Sequence, residues 1–442
     1  MNVYILAGVT GFMCVILHFI YKTFFGQQKC DVQNDESESV TGAQSETVSE
    51  TSTNENRPSG KSKKRATWKA GKTDFSHPWL LKNLKGHPGN VLLMDFSANG
   101  KFLAATCDDG SIILWDIRDL NVKDHKNIRV NIPFDHASHI AWSPDSKAFV
   151  IHTVQENHIQ VYKIEKKKDG TIGAAHPMIT FDKAHEDDVI GFGISSNGKF
   201  MMSCSSKTDM IIWDLKGQQL ERLDTYLMHT HTAKISPCGR FVVATGFSPD
   251  VKIMEVCFKK TGEYNQVTKA YELTGHTSGV YDVVFAVDTS HIATISKDGT
   301  WKIYHTRIEY SRGESPHVLK TGSYTQTANP PKIALSPNAE VLAVSNDSNV
   351  EFYDTYTGEL YDTVENLYTG LINYMLFDAA GKYLFVCGDR AIRILHNVCG
   401  YYTTINSCRR LLTSKQTLAT QERLNNTILE CKKTLEKFGK KY

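Results

Sequence analysis

The amino-acid sequence predicts an all-β body, a seven-bladed propeller, flanked by an N-terminal transmembrane helix and a C-terminal amphipathic helix. Three observations carry that reading: an apolar run at residues 3–20, a sequence unit that returns every 41 to 51 residues, and apolar residues stepping by 4, 3, 4 and 3 from Leu424 to Phe438. Composition sets the frame. The 442 residues are 41% hydrophobic and 22% charged, which argues against wholesale disorder and against a polytopic membrane protein. Fifty basic residues against 48 acidic ones leave a formal net charge of +2, too little for a chain-wide nucleic-acid-binding field. That charge is uneven: residues 1–78 carry +1, residues 79–408 carry −5 and residues 409–442 carry +6. Ten cysteines with no Cys-x-x-Cys read as scattered reduced thiols, not as a disulfide framework or a zinc module.

Val3 to Ile20 is apolar except for Thr10 and His18, and Phe24-Phe25 extend it. At about 1.5 Å of rise per residue, such a run matches the thickness of a hydrocarbon core. No Lys or Arg precedes it, and Tyr21-Lys-Thr-Phe-Phe25 follows in place of a small-x-small cleavage site. Residues 1–25 therefore read as a signal anchor, with a cleaved signal and a buried helix as the alternatives. Lys22 and Lys29 put the positive flank on the C-terminal side, so the remainder is expected in the cytosol. Asn346-Asp-Ser348 and Asn425-Asn-Thr427 are glycosylation sequons that matter only for a lumenal body.

Residues 26–78 read as a disordered linker that is acidic, then basic. Asp31 to Asn56 holds seven acidic residues and no basic one, a composition that cannot bury enough apolar surface to fold. Arg57, Lys61, Lys63, Lys64, Arg65, Lys69 and Lys72 then reverse the sign. This cluster suits anionic lipid headgroups, RNA or an acidic partner face, or else it is a solvated linker.

Residues 79–408 hold the repeats. One unit runs from Leu84-Lys-Gly-His87 through Phe96-Ser-Ala-Asn-Gly100 and Phe102–Cys107 to Ile112-Ile-Leu-Trp-Asp116. Another runs from Leu273-Thr-Gly-His276 through Ile292–Ser296 to Trp301-Lys-Ile-Tyr304. Alternating apolar and β-branched runs separated by Asn-Gly or Asp-Gly turns are hairpin-built antiparallel sheet. The bulky third-strand position recurs as Trp115, Tyr162, Trp213, Met254, Tyr304, Tyr353 and Leu395, seven copies in all. A blade cannot bury both of its faces alone, so blades pack radially and the ring closes on itself. The last repeat lacks an evident fourth strand, and residues 78–85 are expected to supply it.

Gly86-His87, Gly275-His276, Trp115-Asp116 and Trp213-Asp214 make this body resemble the Trp-Asp (WD) repeat family of β-propellers. The resemblance implies buried hydrogen-bonded networks of a turn His, a turn Asp, a strand Ser or Thr and the Trp. The fitting positions are His87, Asp109 and Trp115 in the first blade, His185 and Trp213 in the third, and His276, Asp298 and Tyr304 in the fifth. A narrower resemblance, to a membrane-anchored branch of the family, rests on Ser236-Pro-Cys-Gly-Arg-Phe241, Gly246-Phe-Ser-Pro-Asp-Val-Lys252, Lys297-Asp-Gly-Thr-Trp-Lys302 and Cys387-Gly-Asp-Arg-Ala391. It implies residence in the endoplasmic reticulum membrane and a non-enzymatic adaptor role in the stress response, beside a stress-sensing kinase.

The C-terminal region, residues 409–442, is expected to be a basic amphipathic helix. Leu424, Ile428, Cys431, Leu435 and Phe438 make its apolar face, for packing on the propeller or for a partner or membrane surface. Motifs for catalysis are missing from the sequence: no G-x-x-x-x-G-K-[ST], G-x-S-x-G, H-E-x-x-H or kinase set occurs. Gly191-Phe-Gly193 reads as strand, and His229-Thr-His231 as turn and strand rather than metal ligands. The expectation is a scaffold for protein partners with no cofactor, metal or small-molecule substrate. The rivals are an RNA-tethering protein using the basic linker and tail, and a hydrolase with a metal in the channel.

Overall fold

The structure, a computed structural model, describes residues 75–167 and 171–440. The expected anchor at 1–25 and the linker up to residue 74 lie outside the described residues. Among the described residues no helix is long and apolar enough to cross a membrane. Residues 72–442 form one compact unit.

Seven four-stranded antiparallel sheets follow one another along that unit. Blades one to six run in sequence order over residues 91–131, 137–180, 189–224, 230–273, 280–323 and 333–364. In each, the second strand is the most buried; Phe102–Cys107, Phe241–Gly246 and Val341–Asn346 are buried at every position. A strand covered on both faces by neighbouring blades needs a continuous apolar run, and these segments have one. Outermost strands such as Asn127–Asn131 keep one side in water and alternate.

The seventh blade joins both ends of the unit. Strands Tyr374–Phe377, Tyr383–Gly388 and Ala391–His396 are completed by Leu80–Lys85, which pairs antiparallel with the third of them from Leu80↔Leu395 to Lys85↔Ala391. Residues 78–85 do supply the missing fourth strand. Trp79 and Leu84 are buried at this seam, and the Trp79 ring meets Phe352 edge-on at 5.4 Å.

One turn holds each first hairpin. The Ser97 hydroxyl donates to Asn99 Oδ1 at 2.8 Å and accepts from Phe102 N at 3.0 Å. Ser143, Ser195 and Ser336 repeat the arrangement with Asp145, Asn197 and Asn338. The fourth turn residue has a left-handed backbone in all seven blades: Gly100, Ser146, Gly198, Gly239, Thr289, Ala339 and Gly381. Glycine takes this conformation without cost, whereas an L side chain pays roughly 1–2 kcal/mol.

Blades are also stitched through their innermost strands. Asp95 of the first accepts from the backbone N of Trp142 in the second at 2.8 Å. Asp282 of the fifth accepts from Ile333 N in the sixth at 3.1 Å and from Lys234 Nζ of the fourth at 2.8 Å. At Gly191 an added Cβ would lie 2.5 Å from the Ala233 Cβ, so the Gly191-Phe-Gly193 pair serves close strand approach rather than a nucleotide.

The C-terminal region holds two helices, α1 (Val398–Leu412) and α2 (Leu418–Lys437), instead of the one expected from residue 409. The β-prone Tyr401-Tyr-Thr-Thr-Ile405 disguises α1. The Asn397 side chain caps its first turn by accepting from Gly400 N, and burial of Val398, Cys399, Thr403, Ile405 and Cys408 overrides local propensity. Leu424, Cys431 and Leu435 of α2 are buried, and Ile428 and Phe438 pack on the same cluster as Trp79 and Phe352. The apolar face of α2 is therefore used up against α1 and the adjoining rim of the propeller.

Because the seam is filled by Trp79, a Trp79→Ala change is expected to cost about 3–5 kcal/mol, the usual penalty for emptying a large aromatic site. Removing residues 79–85 should lower the melting temperature further. Urea and thermal melts of both variants check this; an unchanged melt on deletion would show that the ring is closed by something else.

Candidate functional site

The residues singled out for the WD pattern sit where each blade's entry loop meets its second hairpin. In the third blade the network is complete. His185 Nδ1 lies 2.6 Å from Asp209 Oδ2, His185 Nε2 lies 2.7 Å from the Ser203 hydroxyl, and Trp213 Nε1 donates to that hydroxyl at 2.8 Å. In the fifth, His276 meets Asp298 at 2.9 Å and Thr294 at 2.8 Å. Tyr304 there gives its hydroxyl to the carbonyl of Thr274 at 3.0 Å.

The first blade departs from this scheme. Ala105 stands at the place of Ser203 and Thr294, so no hydroxyl bridges, and Trp115 Nε1 donates directly to His87 Nε2 at 3.2 Å. Asp109 does not reach His87; it accepts from the Ser111 hydroxyl at 2.7 Å and from Arg129 at 3.0 Å. His87 Nδ1 is left buried without a hydrogen-bond partner.

Sequence reasoning overlooked several partners. Ser203 and Thr294 each lie 18 residues after their His, a spacing that could have found them. His152 joins Ser138 at 2.8 Å and Asn157 at 2.8 Å, and Asn157 Nδ2 donates to the His185 carbonyl, tying the second blade to the third. The sixth blade centres on Glu351, buried and accepting from Asn346 at 3.0 Å and Tyr353 at 2.6 Å. That bond also holds the Asn346 amide of the first sequon inside the sheet.

These networks build the ring; they do not expose reactive groups. Burial lowers the pKa of His185, His276 and His152, and holds His87 at about 4 and His139 at about 3. Asp298 sits at about 2: burial opposes ionisation, but bonds from Thr300, Thr277 N and His276 outweigh it. Burial pushes the Cys107 and Cys204 thiols up to about 12, far from the thiolate form a nucleophile needs. Among the described residues, no three His, Cys, Asp or Glu side chains gather as a metal site. The central channel holds a cavity of about 310 Å³ lined by Asp95, His139, Lys234, Asp282, Lys332 and Tyr374. Its two carboxylates are already bound to backbone N–H groups and to Lys234.

The unsatisfied surface is apolar. Loops that enter the innermost strands, and loops between second and third strands, open at the same end of the ring because the strands alternate in direction. There Phe134 is 97% exposed, Tyr226 74%, Met228 71% and Phe247 64%. Phe134, Tyr226 and Met228 all have left-handed backbones. Below Tyr226 a groove of about 220 Å³ runs between the third and fourth blades, lined by Met210, Leu223, Leu227, Val242 and Met254 with Lys252 and Lys269 on its rim. The basic positions Lys61, Lys63, Lys64, Arg65, Lys69 and Lys72 lie outside the described residues.

Seven four-stranded blades, two with Gly-His entry turns and five with a Trp or Tyr closing the third strand, define a WD-repeat propeller. The model for "WD domain, G-beta repeat" matches residues 78–116 and 267–305. Human "Transducin beta-like protein 2" is 39% identical over 83% of this chain and 82% of its own length. The mouse protein of that name is 37% identical over 87% of this chain and 89% of its own. A "Guanine nucleotide-binding protein subunit beta" from Nicotiana tabacum is 21% identical over 53% of this chain and 64% of its own. The chain belongs to the transducin beta-like protein 2 family of WD-repeat proteins.

Two outcomes follow from the networks. Ser203→Ala strands the His185 and Trp213 nitrogens in the core and should cost about 1–3 kcal/mol in a urea melt. The imidazoles of His87, His139, His152, His185 and His276 have folded pKa values below 6.5, so their stabilisation is complete above pH 6.5 and drains away as pH falls toward the folded values. Asp95, raised by burial to about 6, and Asp378, also raised by burial, act in the opposite sense, but they are two groups against five. The melting temperature should therefore drop from about pH 7 to about pH 5; a flat profile would contradict this assignment.

Proposed function

We propose that this chain is a non-enzymatic scaffold, tethered to the endoplasmic reticulum membrane, that docks protein partners of stress signalling and translational control on the loop end of its propeller. The observation that carries this reading is the set Phe134, Tyr226, Met228 and Phe247. Large apolar side chains held in water, three of them on strained backbone, are expensive unless a partner covers them. The groove beside Tyr226 adds a pocket for a partner's apolar side chain.

The apolar residues 3–20 support the tether, and the blocks at 236–241, 246–252, 297–302 and 387–391 support the location and a stress-sensing kinase as one partner. A tether concentrates partners near the membrane, so weak contacts suffice. A second reading, RNA tethering, rests on the basic residues 57–72 and the +6 of residues 409–442. RNA binding of that origin would fall steeply with salt.

Proximity labelling with the full chain tests the proposal. Replacing Phe134, Tyr226, Met228 and Phe247 with Ser should remove most labelled partners while abundance and melting temperature hold. An unchanged partner set, or labelling of abundant proteins alone, would sink it.

A further inference from the structure

The two C-terminal helices meet in a tip that the propeller leaves uncovered. At it, Leu418 is 85% exposed and Leu411 49%, although the buried faces of the two helices pack on each other and, through α1, on the sixth blade. Exposed Arg409, Lys415 and Arg423 flank these leucines in sequence, with Glu422, also exposed, beside Arg423 as the one acid within 409–423. Residues 398–421 contain no acidic side chain. The guanidinium of Arg410 lies 3.8 Å from the centre of the Tyr356 ring, which fixes the base of the tip.

The tip also closes its own polar backbone. The Thr413 hydroxyl donates to the Arg410 carbonyl at 2.7 Å, and the Ser414 hydroxyl donates to the Leu411 carbonyl at 2.8 Å. Gln416 Nε2 donates to the Ser414 hydroxyl at 2.9 Å, and Thr417 caps α2 through Thr420 N. A turn whose end carbonyls are already bonded loses less when water is withdrawn. Exposed leucines on a segment with four basic residues against one acid, on a turn with its carbonyls capped, match the headgroup boundary of an anionic bilayer. Phe75, the first described residue, packs into the same cluster as Leu435 and Phe438, at the end of α2 remote from the tip.

We propose that residues 409–423 form a membrane contact in their own right, docking on a bilayer surface rich in anionic lipid, with Leu411 and Leu418 entering the interface and Lys415 and Arg423 on the headgroups. This rests on the membrane-tethered reading, and it would orient the propeller at the membrane.

The compact unit of residues 72–442 closes its ring from within, so it can be tested without the apolar 3–20 run. It should sediment with phosphatidylcholine vesicles containing phosphatidylserine, and far less with phosphatidylcholine alone. Reversing two charges with Lys415→Glu and Arg423→Glu should weaken that binding on the order of twenty-fold or more, at roughly a fivefold effect per basic residue. Leu411→Ser with Leu418→Ser should weaken it several-fold. All four side chains are exposed, so melting temperatures should hold. Absence of binding to the anionic vesicles, equal binding by the variants, or displacement from vesicles by single-stranded RNA acting through the same residues would overturn the proposal. Resistance of the full chain in microsomes to alkaline extraction tests the 3–20 anchor separately, so the two failures are distinguishable.

Discussion

Pairing of Leu80–Lys85 with Ala391–His396 is the contact on which the rest of this molecule depends. Six blades are local in sequence; the seventh exists only when residues some three hundred positions apart come together. Until it forms, the first and last blades expose edges and apolar faces that no other element covers. Trp79 adds the packing: it lies between the closing strand, Phe352 of the sixth blade and the face of α2 that carries Leu435. Closure therefore also seats the helical pair, and the docking loops gain a rigid frame from it.

Inside the ring, charge and hydrogen bonding are spent on holding blades to one another. Asp95, Asp282 and Lys234 reach across inner strands, and Asn157 links His152 to the third blade. Chemistry would need such groups free. The large apolar side chains that the ring leaves in water lie outside: the aromatic and methionine loops at one end, and the two leucines at the helical tip. Both suit association, the first with protein and the second with lipid.

The seven-blade count was legible because the Ser-x-Asn-Gly turn and the bulky third-strand residue obey backbone rules that every blade shares. The closing strand was legible for the same reason, since the last repeat was one strand short. The His-centred networks were less so. Ser203 and Asp209 look unremarkable in sequence, and Ala105 removes the bridge in the first blade although His87, Asp109 and Trp115 keep their spacing. Glu351 and His152 replace the pattern with other chemistry that no period marks. Helix α1 was hidden by its β-branched and aromatic residues, whose burial decides their conformation. The exposed loop residues Phe134, Tyr226 and Met228 carry no sequence signal at all, because exposure is a property of the assembled ring.

The central claim, a propeller held on the cytosolic face of a membrane, is tested most directly by protease treatment of sealed microsomes containing the full chain. The account predicts that the propeller is cleaved without detergent and that Asn425, on the exposed side of α2, carries no glycan. A propeller protected until detergent is added, with a glycan on Asn425, would place it in the lumen and contradict the account.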